Sequence, residues 1–343
     1  MEPKTAFELL QQYNNERPDL SFGCGVLDKA IGRIPTCGIN EISGEAGAGK
    51  TQFCLGLSLQ CQLPISSGGL GGACAYIISG EGEFPIRRLS QLQTSPRYEG
   101  CTLEKVLIEQ CYSPEDMTTT LRTKIPEMCE KNSIKLLIID SLAGLVRNEY
   151  EANSSDIRER TTFLFRFASA LKWLADVHKV CVLVVNQVTS TGFESTSSTS
   201  TSHSTFADLK PALGLVWSTC VNTRIMLYRD SSNARSCEYS TTTNRVNEGE
   251  NQVNVNSIQF LNDENETCTV DNSHKIKYLT CSRRFISLQF SPIHKRKTCQ
   301  YEITMGGIKG IFNDVDVNHN YAKSVASIGY TSMSPTDLPG VHS

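Results

Sequence analysis

The run Gly44-Glu45-Ala46-Gly47-Ala48-Gly49-Lys50-Thr51 matches G-x-x-x-x-G-K-[ST]. The glycines let successive backbone N–H groups curl around phosphate oxygens, and the N-terminus of a following helix adds a favourable field. Lys50 can reach β- and γ-phosphates, and the Thr51 hydroxyl can ligate Mg2+. With Gln52 next in line, this stretch is the candidate binding loop for ATP. Asp140 closes the apolar run Leu136-Leu137-Ile138-Ile139. A carboxylate at the C-terminal end of a buried parallel strand lies where open α/β sheets place ligands, and it suits holding the magnesium. Hydrolysis also needs a group that orients water. Glu81 and Glu83 follow the apolar run "AYIIS", and Gln187 follows "VLVVN". Taken singly, Asp140 reads equally well as a helix cap, and the other three as exposed loop residues. Three strand ends converging on one edge make a site.

Those side chains require a parallel sheet with its loops on one edge, and the patterning predicts one. "INEIS" (39–43), "ACAYIIS" (73–79), "LEKVLIEQ" (103–110), "KLLIID" (135–140) and "VCVLVVN" (180–186) read as strands. The near-continuous apolar runs among them belong to strands buried on both faces. Helices are expected from Lys50 to about Gln62, from Pro114 to Cys129 and from Asp156 to His178. In the last of these, apolar residues recur mostly at intervals of three and four. Strands alternating with helices predict an α/β fold, a mostly parallel central sheet flanked by helices. "CVNTRIMLY" (220–228), "KYLTCSRRFISLQF" (277–290) and "QYEITMGGIKGIF" (300–312) extend it as antiparallel strands at the C-terminal edge. The Asn-rich polar stretch of about 230–274 reads as an insertion or long loop. The expected organisation is a linker or helix over 1–20, an ATPase core over 21–316 and a disordered tail over 317–343.

The bulk composition narrows the class. The chain has 343 residues and a net charge of −3, so nucleic-acid contact must be local. The first thirty residues lack the pattern of a signal peptide, and no apolar run approaches the ~20 residues of a membrane span. The fourteen cysteines are scattered without zinc spacing and read as free, mostly buried thiols in a reducing compartment, cytosol or nucleus. The run "NQVTSTGFESTSSTSTSHSTF" (186–206) has the composition of a linker. Gln187 precedes it and "LGLVWSTCVNTRIML" resumes the sheet after it, so it reads instead as a loop inside one domain.

The phosphate loop, the Glu after the second strand, "IIDS" and "VVNQV" occur in the order of the RecA-type recombinase core, which this chain resembles. "GCGVLDKAIG" (23–32), "KTQFCLGLSLQCQLP" (50–64) and "LGLVWSTCVNTRIMLYR" (213–229) are similar to the eukaryotic RecA-like recombinases, and "GGIKGI" (306–311) to that core's last strand. "FPIRRL" (84–89) and "PALGLVWSTCVNTR" (211–224) most resemble the X-ray repair cross-complementing three branch of recombinase paralogues. The resemblance implies ATP and Mg2+ as ligands. It gives Lys50 and Thr51 the phosphate and metal roles, Asp140 the second metal role, Glu81 water activation, Gln187 γ-phosphate sensing and Arg88 stacking on adenine. Glu83 matches no catalytic position. The resemblance further implies nuclear work in homologous repair of DNA double-strand breaks and in meiosis. The partners it implies are another RecA-like paralogue, as a heterodimer, and the strand-exchange recombinase. The chain begins close to the linker that follows the family's N-terminal DNA-binding domain, so that domain is not expected here. Phe7-Glu8-Leu9-Leu10 departs from the Phe-x-x-Ala segment that joins protomers, so long self-assembled filaments are not expected either.

Two loops of such cores contact DNA. The first is expected at about Arg147 to Arg160, with Arg147, Arg158 and Arg160 as phosphate contacts among interleaved acids. The second is the Ser/Thr-rich run, with Phe193, His203, Phe206 and Lys210. Single-strand binders combine positive grooves with stacking aromatics, so loops this thin in charge predict weak, salt-sensitive DNA binding. Arg283-Arg284 and His294-Lys295-Arg296-Lys297 are the strongest basic features; for the second, a solvated hairpin turn competes with a DNA contact or import signal. The reading is a weakly DNA-stimulated ATPase working in a paralogue complex. An assembly scaffold that keeps ATP as a structural ligand, and an autonomous strand-exchange enzyme, stay open beside it.

Overall fold

The segment Ile134–Asp140 shows how this chain makes its core. Leu136 and Ile138 pack on one side of a sheet, Leu137 and Ile139 on the other, and all four are fully buried. A strand covered on both faces needs no polar alternation, which is why the run reads as continuously apolar. The computed structural model describes residues 4–80, 82–150, 154–190, 209–230, 268–270, 276–279 and 283–311.

The parallel part of the sheet begins with β1 (Ile39–Gly44), β2 (Ala73–Ser79), β3 (Val106–Cys111), β4 (Ile134–Asp140) and β5 (Cys181–Ser190). Beyond them come the short β6 (Leu209–Pro211) and then β7 (Thr223–Asp230), parallel to β1. A hairpin of β8 (Cys268–Val270) and β9 (Ile276–Leu279) stands as a separate two-stranded sheet. The last strands are β10 (Arg283–Phe290), β11 (Thr298–Thr304) and β12 (Gly307–Ile311). The main sheet runs β12-β11-β10-β7-β1-β5-β4-β2-β3, with β6 paired to β5. As expected, β10, β11 and β12 are antiparallel and occupy the C-terminal edge.

One face of the sheet is covered by the helices Gly25–Ile31, Lys50–Gln60 and Ile86–Gln93. In chain order, α1 is Ala6–Glu16, α2 Gly25–Ile31, α3 Lys50–Gln60 and α4 Ile86–Gln93. Helix α3 is buried nearly all round by Phe53, Cys54, Leu55, Leu57 and Leu59. Phe53 meets the rings of Phe22 and Tyr301 edge-on, at 5.9 and 5.2 Å between centroids. The opposite face is covered by α5 (Pro114–Thr119), α6 (Ile125–Asn132), α7 (Leu142–Glu149), α8 (Ser154–Val177) and α9 (Gly214–Cys220). Cys54, Cys61, Cys74 and Cys181 are free thiols in the core, where cysteine serves as a small hydrophobe.

Several expected boundaries move. The strand expected at 103–110 starts only at Val106, after one tight turn. The helix expected over 114–129 runs on to Asn132 through a wider π-turn at Thr120–Lys124. Pro126 lacks an N–H, and the wider turn lets the chain pass that missing donor without ending the helix. The strand expected at 220–228 starts at Thr223, because Gly214–Cys220 is helical and buries Trp217 and Cys220. The largest change concerns the first DNA-facing loop. α7 continues to Glu149 and α8 begins at Ser154, so Arg147, Arg158 and Arg160 stand on helices. The apolar periodicity of α8 reaches back far enough to keep Arg158 and Arg160 helical, while Arg147 stands in the last turn of α7.

The described residues on either side of 191–208 pair with each other. Ser190 of β5 lies opposite Leu209 of β6, and Val188 opposite Pro211. Residues 191–208, and with them Phe193, His203 and Phe206, lie outside the described residues, as do Glu81, most of the polar 230–274 stretch and the 317–343 tail.

Candidate functional site

The phosphate loop leaves the C-terminal end of β1 at Gly44 and enters α3 at Lys50. Gly47 and Gly49 hold φ of 75° and 100°, the left-handed region that a side chain disfavours, so the tight curl depends on glycine there. Ala48 is fully buried, and its carbonyl accepts a hydrogen bond from the Tyr301 hydroxyl. The C-terminal edge of the sheet thus props the loop from behind. Lys50 Nζ donates to the carbonyls of Gly44 at 2.8 Å and Glu45 at 2.7 Å, so the ammonium lies within the curl of its own loop. Burial pushes the Lys50 pKa down, and the nearby Asp140 carboxylate works against that shift. A group held this way is poised to take a polyphosphate, which removes its shortage of negative partners. Arg229 lies 3.7 Å from Glu45 across the outer side of the loop.

Asp140 meets Thr51, as expected from the sequence. Thr51 Oγ1 donates to Asp140 Oδ2 at 2.9 Å, and Tyr76 donates from its hydroxyl to the same oxygen at 2.8 Å. Thr51 and Asp140 bring two hard oxygen donors together beside the phosphate loop, which is the donor chemistry of a magnesium site. The residues present therefore fit Mg2+ with a nucleoside triphosphate. Tyr76 was not anticipated. Burial, first of all, and then the neighbouring Cys54 and Asp140 push its pKa well above the usual phenol range, so it stays a neutral donor to the carboxylate. A tyrosine in an apolar strand reads as core. Only the register Ile78 to Asp140 between β2 and β4 shows that Tyr76 lies near the carboxylate.

Gln187 sits opposite Gly44 at the end of the β1–β5 ladder, which brings it beside the start of the phosphate loop. Its Oε1 accepts from Arg147 Nη2 at 2.7 Å. Arg88, on α4, donates to Gln52 Oε1 at 2.8 Å and to the carbonyls of Thr304 at 2.6 Å and Met305 at 3.1 Å. It thus bridges the phosphate-loop helix to the turn between β11 and β12. Glu83 is exposed, in keeping with its lack of a catalytic match.

The expected DNA contacts separate. Arg158 is exposed on α8, and Lys210 is exposed on β6. Arg160 instead donates to the carbonyls of Leu213 at 3.0 Å and Ala212 at 3.5 Å, holding the segment before α9. That guanidinium already has partners. Lys295, Arg296 and Lys297 are exposed in the turn between β10 and β11, the hairpin reading of that basic run. Among the described residues no helix is long and apolar enough to cross a membrane.

The Rad51 family model matches residues 16–260. A DNA repair protein XRCC3 homolog of Arabidopsis thaliana is 29% identical over 309 residues, which cover 84% of this chain and 92% of that protein. DNA repair protein RAD51 homolog 2 of Homo sapiens is 35% identical over 235 residues, 62% of this chain and 61% of that protein. DNA repair protein XRCC3 of Bos taurus is 31% identical over 240 residues, 66% of this chain and 68% of its own length. The match thus spans nearly the whole of the plant protein but less than two thirds of the human one.

Proposed function

Since the chain belongs to the Rad51 family, we propose that it is an ATP-binding recombinase paralogue with slow, DNA-stimulated ATPase activity that serves recombination repair. The observation that carries this reading is the meeting of Thr51, Asp140 and Lys50 at the end of β1. Lys50 and the loop N–H groups hold the phosphates, and Thr51 and Asp140 offer oxygens to the metal. Bound Mg2+ would neutralise charge on the β- and γ-phosphate oxygens. Glu81 takes the proton of the attacking water, and Gln187 donates to a γ-phosphate oxygen. Arg88 stacks on the adenine. Arg158, Lys210, Phe193 and Phe206 face DNA, with little positive charge to hold it unaided.

The relatives named for DNA repair support a role in recombination repair. By extension we assign it to double-strand break repair and meiosis, in the nucleus, beside a second RecA-like paralogue and the strand-exchange recombinase. The experiment is direct: titrate the purified chain with a fluorescent ATP analogue and Mg2+, then follow phosphate release with and without single-stranded DNA. Saturable Mg2+-dependent binding with DNA-raised turnover is expected. Binding without any turnover would favour the scaffold role, and no binding would overturn the proposal.

Tyr76→Phe tests the support under the metal-holding carboxylate. It removes one hydrogen bond to a charged acceptor, worth about 1 kcal/mol or somewhat more, or roughly fivefold to tenfold in affinity. The variant is expected to need that much more Mg2+ for half-maximal nucleotide binding, while its unfolding temperature changes little. A Mg2+ titration at fixed nucleotide measures it.

A further inference from the structure

Arg147 and Gln187, read from the sequence as parts of two different devices, are bonded to each other. Arg147 stands in the last turn of α7, the helix that follows Asp140, and donates from Nη2 to Gln187 Oε1 at 2.7 Å. Gln187 lies opposite Gly44 and leads, three residues on, into the Ser/Thr-rich excursion. A carboxamide has two chemically different ends, an acceptor oxygen and a donor NH2, whereas a guanidinium has donors only. Arg147 can therefore engage only the oxygen, and by doing so it decides which end of the amide is left over. The end left over is the donor. A phosphate oxygen needs a donor, and the opposite rotamer would set the amide oxygen against it.

We propose that Arg147 is a positioning residue for Gln187. Its bond to Oε1 fixes the amide so that Nε2 faces a γ-phosphate, which makes the chain distinguish a nucleoside triphosphate from a diphosphate. This rests on the nucleotide reading above and adds the residue that sets its selectivity. The same guanidinium sits on the exposed end of α7, next to the segment expected to meet nucleic acid. A DNA phosphate arriving there draws on donors that Gln187 also uses, so DNA contact and nucleotide sensing share one arginine.

The test compares the unaltered chain with Arg147→Ala, Arg147→Lys, Gln187→Ala and the double variant Arg147→Ala/Gln187→Ala. Each is titrated with a fluorescent non-hydrolysable ATP analogue and with its ADP counterpart, in the presence of Mg2+. Arg147→Ala is expected to lower the preference for the triphosphate about fivefold to tenfold, the worth of one hydrogen bond to a charged group. Gln187→Ala should lower it by the same factor, and the double variant no further. Arg147→Lys should keep part of the preference, since an ammonium also donates to Oε1; it carries the comparison should the alanine variant fail to fold. An unchanged preference in Arg147→Ala, with weaker oligothymidylate binding by the nucleotide-free protein, would overturn the proposal and leave Arg147 a plain DNA contact. Additive losses in the double variant would overturn it as well. Failure of the unaltered chain to bind either nucleotide would instead strike down the nucleotide reading itself, an outcome no Arg147 variant can mimic.

Discussion

Replacing Lys50 by methionine is expected to lower ATP affinity about 10- to 100-fold while leaving the nucleotide-free protein as stable as before, or slightly more so. The affinity estimate follows from losing charge-assisted hydrogen bonds to phosphate, each worth roughly 1.5–3 kcal/mol. The stability expectation follows from the environment of the ammonium. Lys50 bonds to two neutral carbonyls in its own loop, and burial holds its pKa below that of a free lysine. A depressed lysine pKa means that the folded state disfavours the charged form relative to the unfolded chain. Methionine keeps the stem and discards the charge. Calorimetric ATP titration and thermal unfolding of the apo protein measure the two halves separately. A variant that binds ATP as well as the unaltered chain would sink the assignment of Lys50.

Glu81→Gln sharpens the comparison because it removes the proposed base and leaves the phosphate loop intact. An ATPase should lose turnover in Glu81→Gln with binding preserved, and should lose both in Lys50→Met. If repair function tolerates Glu81→Gln but not Lys50→Met, ATP acts as a structural ligand and the scaffold role is the correct one.

What could be read from the sequence was what depends on neighbours in sequence. The phosphate loop is contiguous, so its motif announces both the turn and the helix that follows. Runs such as Leu136 to Ile139 announce double-sided burial, because both faces of β4 are covered. Asp140 and Gln187 could be placed at one edge from strand direction alone. The contacts that escaped all depend on register between distant strands or on where a helix begins. Tyr76 reaches Asp140 only through the pairing of β2 with β4. Arg147 reaches Gln187 because α7 runs on to Glu149 where a loop was expected. Tyr301 reaches Ala48 from a strand 253 residues further along the chain. Periodicity tells which face a residue takes, but not which partner waits on that face.

The same gap hides the residue pair whose loss should cost most in stability. Glu41 is fully buried in the middle of β1, and its cross-strand neighbour on β7 is Arg224, which bonds to it through Nε. Glu41 Oε1 also accepts from Asn186 Nδ2 at 2.6 Å and from Trp217 Nε1 at 3.2 Å. Arg224 in turn donates to Ser218 Oγ at 2.9 Å and lies 5.0 Å from the centre of the Phe290 ring. One carboxylate thus joins the strand that ends at the phosphate loop, the strand that carries Gln187, and helix α9. Arg224→Met is expected to destabilise the fold by about 3–5 kcal/mol, because it leaves Glu41 charged and without its partner in the interior. Glu41→Leu should cost a similar amount by stranding Arg224. The double variant Glu41→Leu/Arg224→Met should recover much of the loss, since buried ion pairs and well-packed apolar replacements are often close in stability. Urea unfolding of the three variants decides it. A loss below about 1 kcal/mol for Arg224→Met, a range typical of exposed pairs, would mean that the pair contributes little to stability. If the double variant folds well yet no longer distinguishes ATP from ADP, the pair is kept for the alignment of Asn186 and Gln187 with the phosphate loop, and not for stability.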